Sequence, residues 1–306
     1  MNIALRQNNI DIHRILNFDN SMSENTTKVY SYLLNKFDAH IGGNWSQVNK
    51  QVIIDYIQEL RDRGLQPTSI NTTLKALKKF YNMLIDRGHF EHNPVDGVKY
   101  ETESQVRKTN KHKWLDEATL KRMFHYLKQN ETEIGFRNYS LMIFMTFTGL
   151  RASEVCSLKF KNIIYRDGKP VEIKLIGKGK AERVVDIDES IIKPIVEYRN
   201  QAGLTCSPDD YIFMTTLNNK WRTRKALNRH SLYYIVRSIG EKIGVMSLHP
   251  HNLRHTNITH LLKNGCPLHR ASEHAGHSSV TITASIYCHD DSPVQPYMDS
   301  IKRLIN

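Results

Sequence analysis

Helical periodicity, repeatedly ended by glycine, is the sequence feature that most restricts the fold of this chain. In the first hundred residues, apolar side chains recur every three to four positions over 25–41, 47–63 and 67–88, and glycines close the segments. Strand-like patterns occur in one place, at 171–176 and 184–187, where a Gly-Lys-Gly-Lys turn joins two short runs. The sequence therefore predicts a mainly α protein with a small β-sheet, formed by a single hairpin.

A polar segment divides this helical pattern into two parts. At 306 residues the chain is too long for one ordinary core, so two domains are expected. Residues 101–112, which include Arg107 and Lys108, predict a linker between a helical domain at 1–100 and a second domain at 113–306. Further helices are expected from Asp116 as an N-cap, over 139–147 before Gly149, and at 189–201, 228–243, 251–264 and 296–305.

The composition excludes several classes of protein. A hydrophobic fraction of 40% and a charged fraction of 24% are typical of a globular protein with a packed core. The longest apolar run, 141–150, has about half the length needed to cross a bilayer. Residues 1–20 lack the pattern of a secretion signal. The 4 cysteines are scattered, which indicates reduced thiols in a cytoplasm rather than a disulfide framework or a zinc cluster.

The positive charge is unevenly distributed. Residues 1–105 hold 12 basic and 12 acidic side chains, so the net charge of +12 belongs to residues 106–306. This excess indicates either a solvated basic surface or a polyanionic partner, with nucleic acid as the first candidate. Three groups of basic residues are candidates for DNA contact: Lys75, Lys78 and Lys79 on the third helix, Arg107 and Lys108 in the linker, and Arg222, Arg224 and Lys225 within 221–229.

Polar residues at the ends of predicted elements are candidates for chemistry. Arg151 follows the glycine that ends a buried helix, and Glu154 lies about one turn later. The pair is either an ordinary helix-terminal ion pair or an arginine oriented to bind a phosphate. Lys178 lies between glycines in the hairpin turn, where it is either a solvated turn residue or a proton donor.

A second group of candidates lies near the C-terminus. His251 and Arg254 share one face of a helix, because they are three residues apart. A zinc site at His249, His251 and His255 is the weaker interpretation, since the glutamate of a His-Glu-x-x-His motif is absent and no cysteine is near. Tyr287 follows ten residues after a Gly-His-Ser sequence that contains His277.

Together these motifs resemble the ordered signatures of the tyrosine recombinase (phage integrase) family. Residues 113–290 resemble its catalytic domain, and residues from about 20 to 98 resemble the core-binding domain that precedes it. The resemblance implies an N-terminal helical, SAM-like core-binding domain followed by an α+β catalytic domain. The motifs are Thr148-Gly149-Leu150-Arg151 with Glu154, Gly177-Lys178-Gly179-Lys180 before Glu182-Arg183, His251-x-x-Arg254-His255, Gly276-His277-Ser278 and Tyr287.

The resemblance also implies a role for each motif residue. Tyr287 attacks a scissile DNA phosphate and forms a 3′-phosphotyrosyl link, so neither a cofactor nor a metal is needed. Arg151 and Arg254 neutralise the phosphate oxygens, and Lys178 protonates the leaving 5′ oxygen. The other implied roles are proton transfer with the tyrosine for His251, a hydrogen bond to the phosphate for His277, and support of Arg151 by Glu154.

The implied partners are duplex DNA with a specific recombination site, three further copies of the chain in a tetramer, and an accessory or directionality protein. In such a tetramer, residues 296–306 would dock into the neighbouring protomer. Two departures from the commonest family pattern are Ala275 in place of leucine and the ten-residue interval between His277 and Tyr287. Two alternatives remain open: a DNA-binding regulator that does not cut, and a relaxing enzyme of the type IB topoisomerase class.

Overall fold

The protein is mainly helical, as the sequence predicted. The computed structural model describes residues 11–17, 22–100, 114–176, 182–217 and 223–276. The chain divides into two compact units, residues 1–111 and 112–306, each with its own hydrophobic core. This division falls inside the segment that the sequence predicts to be the linker. None of the helices in the described ranges combines the length and the apolar character needed to cross a membrane.

In its described part, the first unit consists of four helices around one aromatic cluster. Trp45, in a short 3-10 turn, packs its ring against Phe37 and Phe80 at centroid distances of 5.4 and 4.9 Å. The indole N–H of Trp45 donates a hydrogen bond to Asp38, so the buried ring leaves no polar atom unsatisfied. The helices are α1 (Ile12–Asn17), which the sequence did not predict, α2 (Glu24–His40), α3 (Lys50–Asp62) and α4 (Pro67–Ile85).

Local capping explains where these helices begin. The Ser23 hydroxyl accepts a hydrogen bond from the backbone N–H of Thr26 at 3.2 Å, and the Asn49 side chain accepts two from the first turn of α3. Pro67 opens α4, where a missing N–H costs nothing because it would have no partner in the helix. The starts of α2, α3 and α4 are therefore encoded locally.

The second unit is built around a helix that is buried on nearly every side. Its α6 (Glu133–Thr148) contacts α5 (Glu117–Lys128), α8 (Glu189–Gln201) and α10 (Pro250–Lys263). A helix that is apolar all round needs such cover on all faces. Asp116 caps α5 as predicted, because its carboxylate accepts the Thr119 N–H at 2.8 Å. The other described helices are α7 (Ala152–Ser157), α9 (Arg229–Lys242) and α11 (Leu268–Ala275); the helix predicted at 296–305 lies outside the described residues.

The sheet has three antiparallel strands rather than the two of the predicted hairpin. The strands β1 (Ile163–Arg166), β2 (Lys169–Ile176) and β3 (Glu182–Asp186) follow one another in sequence order. The prediction missed β1 because it is only 4 residues long and its register shifts between Ile164 and Tyr165, which breaks the alternation. Ile176 pairs with Glu182, so the two strands that flank 177–181 meet side by side.

Candidate active site

The turn between α6 and α7 positions Arg151. Gly149 ends α6 with a left-handed φ of 60°, and its N–H donates to the Met145 carbonyl at 3.1 Å. Arg151 then takes an extended conformation as the N-cap of α7. Residues with a Cβ rarely adopt a positive φ. The backbone therefore needs the glycine of the Thr-Gly-Leu-Arg motif in order to reverse at this point.

The Glu154 carboxylate binds two arginines. Arg151 donates its backbone N–H to Oε2 at 2.8 Å and its Nη1 to Oε1 at 3.1 Å. Arg183, on β3, donates Nη1 to Oε1 and Nη2 to Oε2, both at 2.9 Å. We call Arg151, Glu154 and Arg183 the Arg–Glu–Arg triad. The side chains of Glu154 and Arg183 are 16% and 15% exposed and that of Arg151 is 41% exposed, so Arg151 is the member that solvent reaches.

Hydrogen bonding keeps the Glu154 carboxylate ionised. Burial by itself would raise the pKa of Glu154, because a low-dielectric environment disfavours the charged form. Hydrogen bonds from Arg183 and from the Arg151 backbone, together with the two positive charges, outweigh burial and hold the pKa of this carboxyl below its ordinary value. The triad therefore carries two positive charges and one negative charge at neutral pH.

Arg254 reaches the same turn from α10. Its Nη1 donates to the Gly149 carbonyl at 2.9 Å and its Nη2 donates to the Ala275 carbonyl, and the residue is only 2% exposed. Arg151 donates its Nη2 to the neighbouring Gly276 carbonyl at 2.6 Å. The two arginines thus bind consecutive carbonyls at the C-terminal end of α11.

The histidines of α10 differ in exposure. His251 is exposed and His255 is buried, and their rings meet edge to face at a centroid distance of 4.5 Å. Within the described ranges, no group of three or more His, Cys, Asp or Glu side chains is arranged to hold a metal ion. The weaker zinc interpretation of His249, His251 and His255 gains no support from this part of the chain.

A buried histidine that the sequence analysis did not select lies beneath the arginines. His274, in the last turn of α11, hydrogen-bonds to the backbone of Thr148, and its Nε2 is buried with no hydrogen-bond partner in the described part of the chain. Burial is the largest effect and lowers the pKa of His274; Asp186 opposes it, the charges of Arg183 and Arg254 lower the pKa further, and the Thr148 hydrogen bond has a smaller raising effect. The lowered pKa favours the neutral ring.

Several residues predicted from the sequence lie outside the described residues. They include three of the catalytic candidates, Lys178, His277 and Tyr287. The described chain stops at Ile176 and resumes at Glu182 on either side of Lys178, and it stops again at Gly276, the residue before His277. The candidates for DNA contact outside the described residues are Arg107, Lys108 and Arg222.

The lysines of α4 differ in their surroundings. Lys75 is exposed, whereas Lys78 forms an ion pair with Asp96 at 2.9 Å, which raises the pKa of the Lys78 ammonium. Lys79 is partly buried and has interactions of its own. Lys75 is therefore the best placed of the three to meet a phosphate.

Arg224 forms hydrogen bonds within the second unit. Its guanidinium pairs with both carboxylate oxygens of Glu133 and donates to the Ala202 carbonyl at 3.0 Å, and its side chain is only 13% exposed. The DNA contact predicted for Arg224 stays a prediction, and it would require the guanidinium to exchange one of these bonds for a phosphate. Lys225, the next residue, is exposed.

Comparison with protein-family models covers both units. Residues 113–293 match the phage integrase family, and residues 13–88 match the N-terminal SAM-like domain of phage integrases. The first match alone spans more than half of the chain. The chain belongs to the phage integrase family. This membership confirms the predicted fold and the predicted class of enzyme, a tyrosine recombinase.

Individual relatives agree with this membership. A tyrosine recombinase of Pseudothermotoga lettingae is 27% identical over 262 residues, which covers 84% of this chain and 83% of that protein. The fold is similar to that of the XerH site-specific recombinase bound to palindromic difH substrate, with a TM-score of 0.73, 20% identity and coverage of 95% and 84% of the two chains. It is also similar to that of the Tn1549 transposon integrase in complex with transposon right-end DNA, with a TM-score of 0.72, 16% identity and coverage of 97% and 100%.

Arg183 was quoted with the glycine-lysine motif in the sequence analysis, but it was given no role at the site. It directly follows Glu182 after the glycine-rich turn, where a basic residue is an ordinary occupant of a strand end. Its partner Glu154 lies 29 residues away in sequence, and no local pattern connects the two. The contact between Arg183 and Glu154 therefore became apparent only once β3 and α7 were placed side by side.

Proposed function

We propose that this protein is a site-specific DNA recombinase that cleaves and rejoins duplex DNA through a covalent bond to Tyr287. The phenolic oxygen of Tyr287 attacks the scissile phosphorus, the bond to the 5′ oxygen breaks, and that oxygen leaves as a hydroxyl after taking up a proton. A 5′ hydroxyl from another strand then attacks the 3′-phosphotyrosyl bond and releases the tyrosine. One phosphoester replaces another in each step, so no nucleotide is consumed.

The observation that carries this proposal is the placement of two arginines on one turn. Arg151 and Arg254 come from different helices, and both hold carbonyls of the same two-residue stretch at the end of α11. Charge on the phosphate oxygens grows in the transition state, and preorganised guanidinium groups stabilise it without a metal ion. Arg254 is nearly covered, so a phosphate contact would require it to exchange one of its carbonyl bonds when DNA binds.

The remaining catalytic roles follow from the motifs. Lys178 would protonate the leaving 5′ oxygen, His251 would exchange a proton with Tyr287, and His277 would donate a hydrogen bond to the phosphate. The exposure of His251 at the start of α10 supports a role at a surface that DNA reaches. Gly276, which directly precedes His277 in sequence, accepts a hydrogen bond from Arg151, and this supports the phosphate role proposed for His277.

A pocket in the second unit supports self-association through the C-terminal segment. Residues 296–306 carry an apolar stripe of Met298, Ile301 and Leu304 that is too short to be a stable helix alone. A cavity of about 600 Å³ opens between α5 and the ends of α6 and α10, and it is large enough to accept such side chains. We infer that one protomer inserts this segment into the cavity of the next around a DNA-bound tetramer; apolar lining residues are Leu120, Phe124, Phe147 and Leu261.

The active site alone does not set the direction of recombination, that is, whether DNA is integrated or excised. Cleavage and rejoining conserve the phosphodiester bond, so the chemistry alone favours neither integration nor excision. An accessory or directionality protein that binds one DNA arrangement more tightly than the other would supply the difference.

The tetramer proposal is tested by removing the segment and by altering its pocket. Deletion of residues 296–306 and the substitution Phe147→Ser should both reduce cooperative DNA binding in a mobility-shift titration. Phe147 lines the cavity and is 53% exposed, whereas Tyr165 is 51% exposed and does not line it, so Tyr165→Ser is the matched control. Unchanged cooperativity in both altered proteins would contradict the proposal.

The catalytic proposal is tested by trapping the covalent intermediate. A duplex library with a randomised centre and a nick would be incubated with the protein, and DNA that becomes covalently attached would be recovered and sequenced. The wild-type protein should select one site and form the adduct, and Tyr287→Phe should form none. Binding without any adduct would indicate a regulator that does not cut, and relaxation of plasmids without the selected site would indicate a topoisomerase.

A further inference from the structure

Arg183 is placed to affect several catalytic candidates at once. Its guanidinium binds both oxygens of Glu154 at 2.9 Å, and both side chains are largely covered, so the geometry of this pair is well defined. Glu154 in turn holds Arg151 through the backbone N–H and through Nη1. Arg183 therefore contacts Arg151 indirectly, through a shared carboxylate.

Arg183 also packs against the residue that precedes His277. A Cβ built on Gly276 would lie 2.7 Å from both Cζ and Nε of Arg183 and 2.9 Å from its Cδ, which is closer than any real Cβ contact. Only glycine leaves room for the guanidinium at this point. Gly276 also accepts the hydrogen bond from Arg151 Nη2, so Arg183 and Arg151 both contact this residue.

Arg183 also raises the net positive charge beside Arg151. Without it, Arg151 and Glu154 would form a neutral pair, and the carboxylate would offset the positive charge that a phosphate needs. With it, the Arg–Glu–Arg triad has a net charge of +1. Glu154 can then orient Arg151 without cancelling its charge.

We propose that Arg183 is a positioning residue for strand cleavage, which fixes Arg151 and the start of the His277 segment and maintains the positive charge beside the scissile phosphate. It lies on β3, five residues after Lys178 in sequence, and it contacts Glu154 and Gly276. This inference rests on the proposed function. Arg183 itself is not expected to touch the phosphate, because its guanidinium already binds Glu154 on one side and packs against Gly276 on the other.

The test compares Arg183→Met and Arg183→Lys with a matched control. Arg183→Met removes the charge and the paired hydrogen bonds, and Arg183→Lys keeps the charge but cannot form the two-point contact. The control is Arg166→Met, which removes an arginine–glutamate pair on the same sheet, where Arg166 is 65% exposed and donates to Glu172 at 2.7 Å. Each full-length variant would be assayed on the nicked duplex selected by the wild-type protein.

Adduct formation should slow by ~10- to 100-fold in Arg183→Met, as is typical when a residue that orients a functional group is lost, and by less in Arg183→Lys. DNA affinity should change by less than ~threefold, because most of the binding free energy comes from other phosphate contacts. The control Arg166→Met should form the adduct at the wild-type rate. Melting curves of all three variants would verify that they are folded, and Arg183→Lys keeps the test informative should Arg183→Met unfold.

A DNA substrate with an uncharged scissile phosphate distinguishes loss of the positive charge beside the phosphate from general damage to the site. Replacing one non-bridging oxygen of the scissile phosphate by methyl removes the negative charge that the arginines must neutralise. The rate defect of Arg183→Met should shrink on this methylphosphonate, whereas a merely misfolded site would stay equally slow. Wild-type rates for both Arg183 variants on the ordinary phosphate would overturn the inference and leave the proposed function intact. Absence of any adduct from the wild-type protein would overturn the proposed function, and this inference with it.

Discussion

Replacing Gly149 by alanine should destabilise the second unit by more than the backbone conformation alone explains. Gly149 has a φ of +60°, a conformation that costs a residue with a Cβ about 1–2 kcal/mol. The new Cβ would also lie 2.5 Å from Oδ1 and 3.0 Å from Cγ of Asn257. Asn257 must therefore move, although its Nδ2 donates to the Phe147 carbonyl at 2.8 Å.

The two costs add because they involve different groups. Breaking the hydrogen bond leaves the part-buried Phe147 carbonyl without this donor, which costs about 1–3 kcal/mol. The free energy of unfolding should therefore fall by about 2–5 kcal/mol in Gly149→Ala. Gly168→Ala is the matched control, since Gly168 has a φ of +76° in the same unit but no atom within 4 Å of its Cβ position. It should lose only the conformational part, about 1–2 kcal/mol.

Urea unfolding of the full chain, followed by circular dichroism, would measure both variants against the wild-type protein. A third comparison introduces Gly149→Ala into an Asn257→Ala background, where the obstructing side chain is gone. In that background the cost of Gly149→Ala should drop to that of Gly168→Ala, because the clash no longer exists. Equal costs for Gly149→Ala and Gly168→Ala, or the same cost of Gly149→Ala in both backgrounds, would refute the reasoning.

Three further predictions concern catalysis, pH dependence and DNA affinity. Lys178→Ala should slow strand cleavage by ~10²- to 10⁴-fold in a gel assay of the adduct. A 5′-phosphorothiolate, in which sulfur replaces the leaving 5′ oxygen, should restore the rate because a thiolate leaves without protonation. Persistence of the defect on that substrate would rule out lysine as the acid. Burial lowers the pKa of His274, so below pH ~6.5 the unfolded chain takes up a proton that the folded chain does not. As the pH is lowered, the free energy of unfolding should therefore decrease more steeply in the wild-type protein than in His274→Gln. Parallel curves of stability against pH would argue against this. Lys75→Ala should lower the slope of log K against log salt by ~1 in a binding titration, whereas an unchanged slope would remove Lys75 from the contact surface.

The helices show how far sequence patterns reach. The starts of α2, α3 and α4 depend on Ser23, Asn49 and Pro67, which act on their own first turns and are visible in the sequence. β1 was missed for the opposite reason. Its four residues are a strand because they pair with β2, and a register shift removes the alternation that would have indicated it.

The residues of the candidate site also divide into those that local motifs indicate and those whose contacts only the fold shows. Arg151, Glu154 and Arg254 were predicted from the sequence because they belong to ordered motifs with fixed local spacing, and their roles stay predictions. For Arg224 the sequence indicates a positive charge without showing its partner, and the predicted DNA contact stays a prediction. Only the fold brings Glu133 to that charge.

The amino-acid sequence by itself determined the mainly helical fold class, and it predicted two units and the residues proposed to carry the chemistry, since these depend on periodicity, capping and motif order along the chain. Only the tertiary structure decided that Arg151 and Arg254 hold neighbouring carbonyls and that Arg183 shares Glu154. These contacts join residues that are far apart in sequence, by 125 positions for Arg151 and Gly276. Hydrogen bonds act over about 3 Å, so contacts of this kind exist only once packing has brought the segments together.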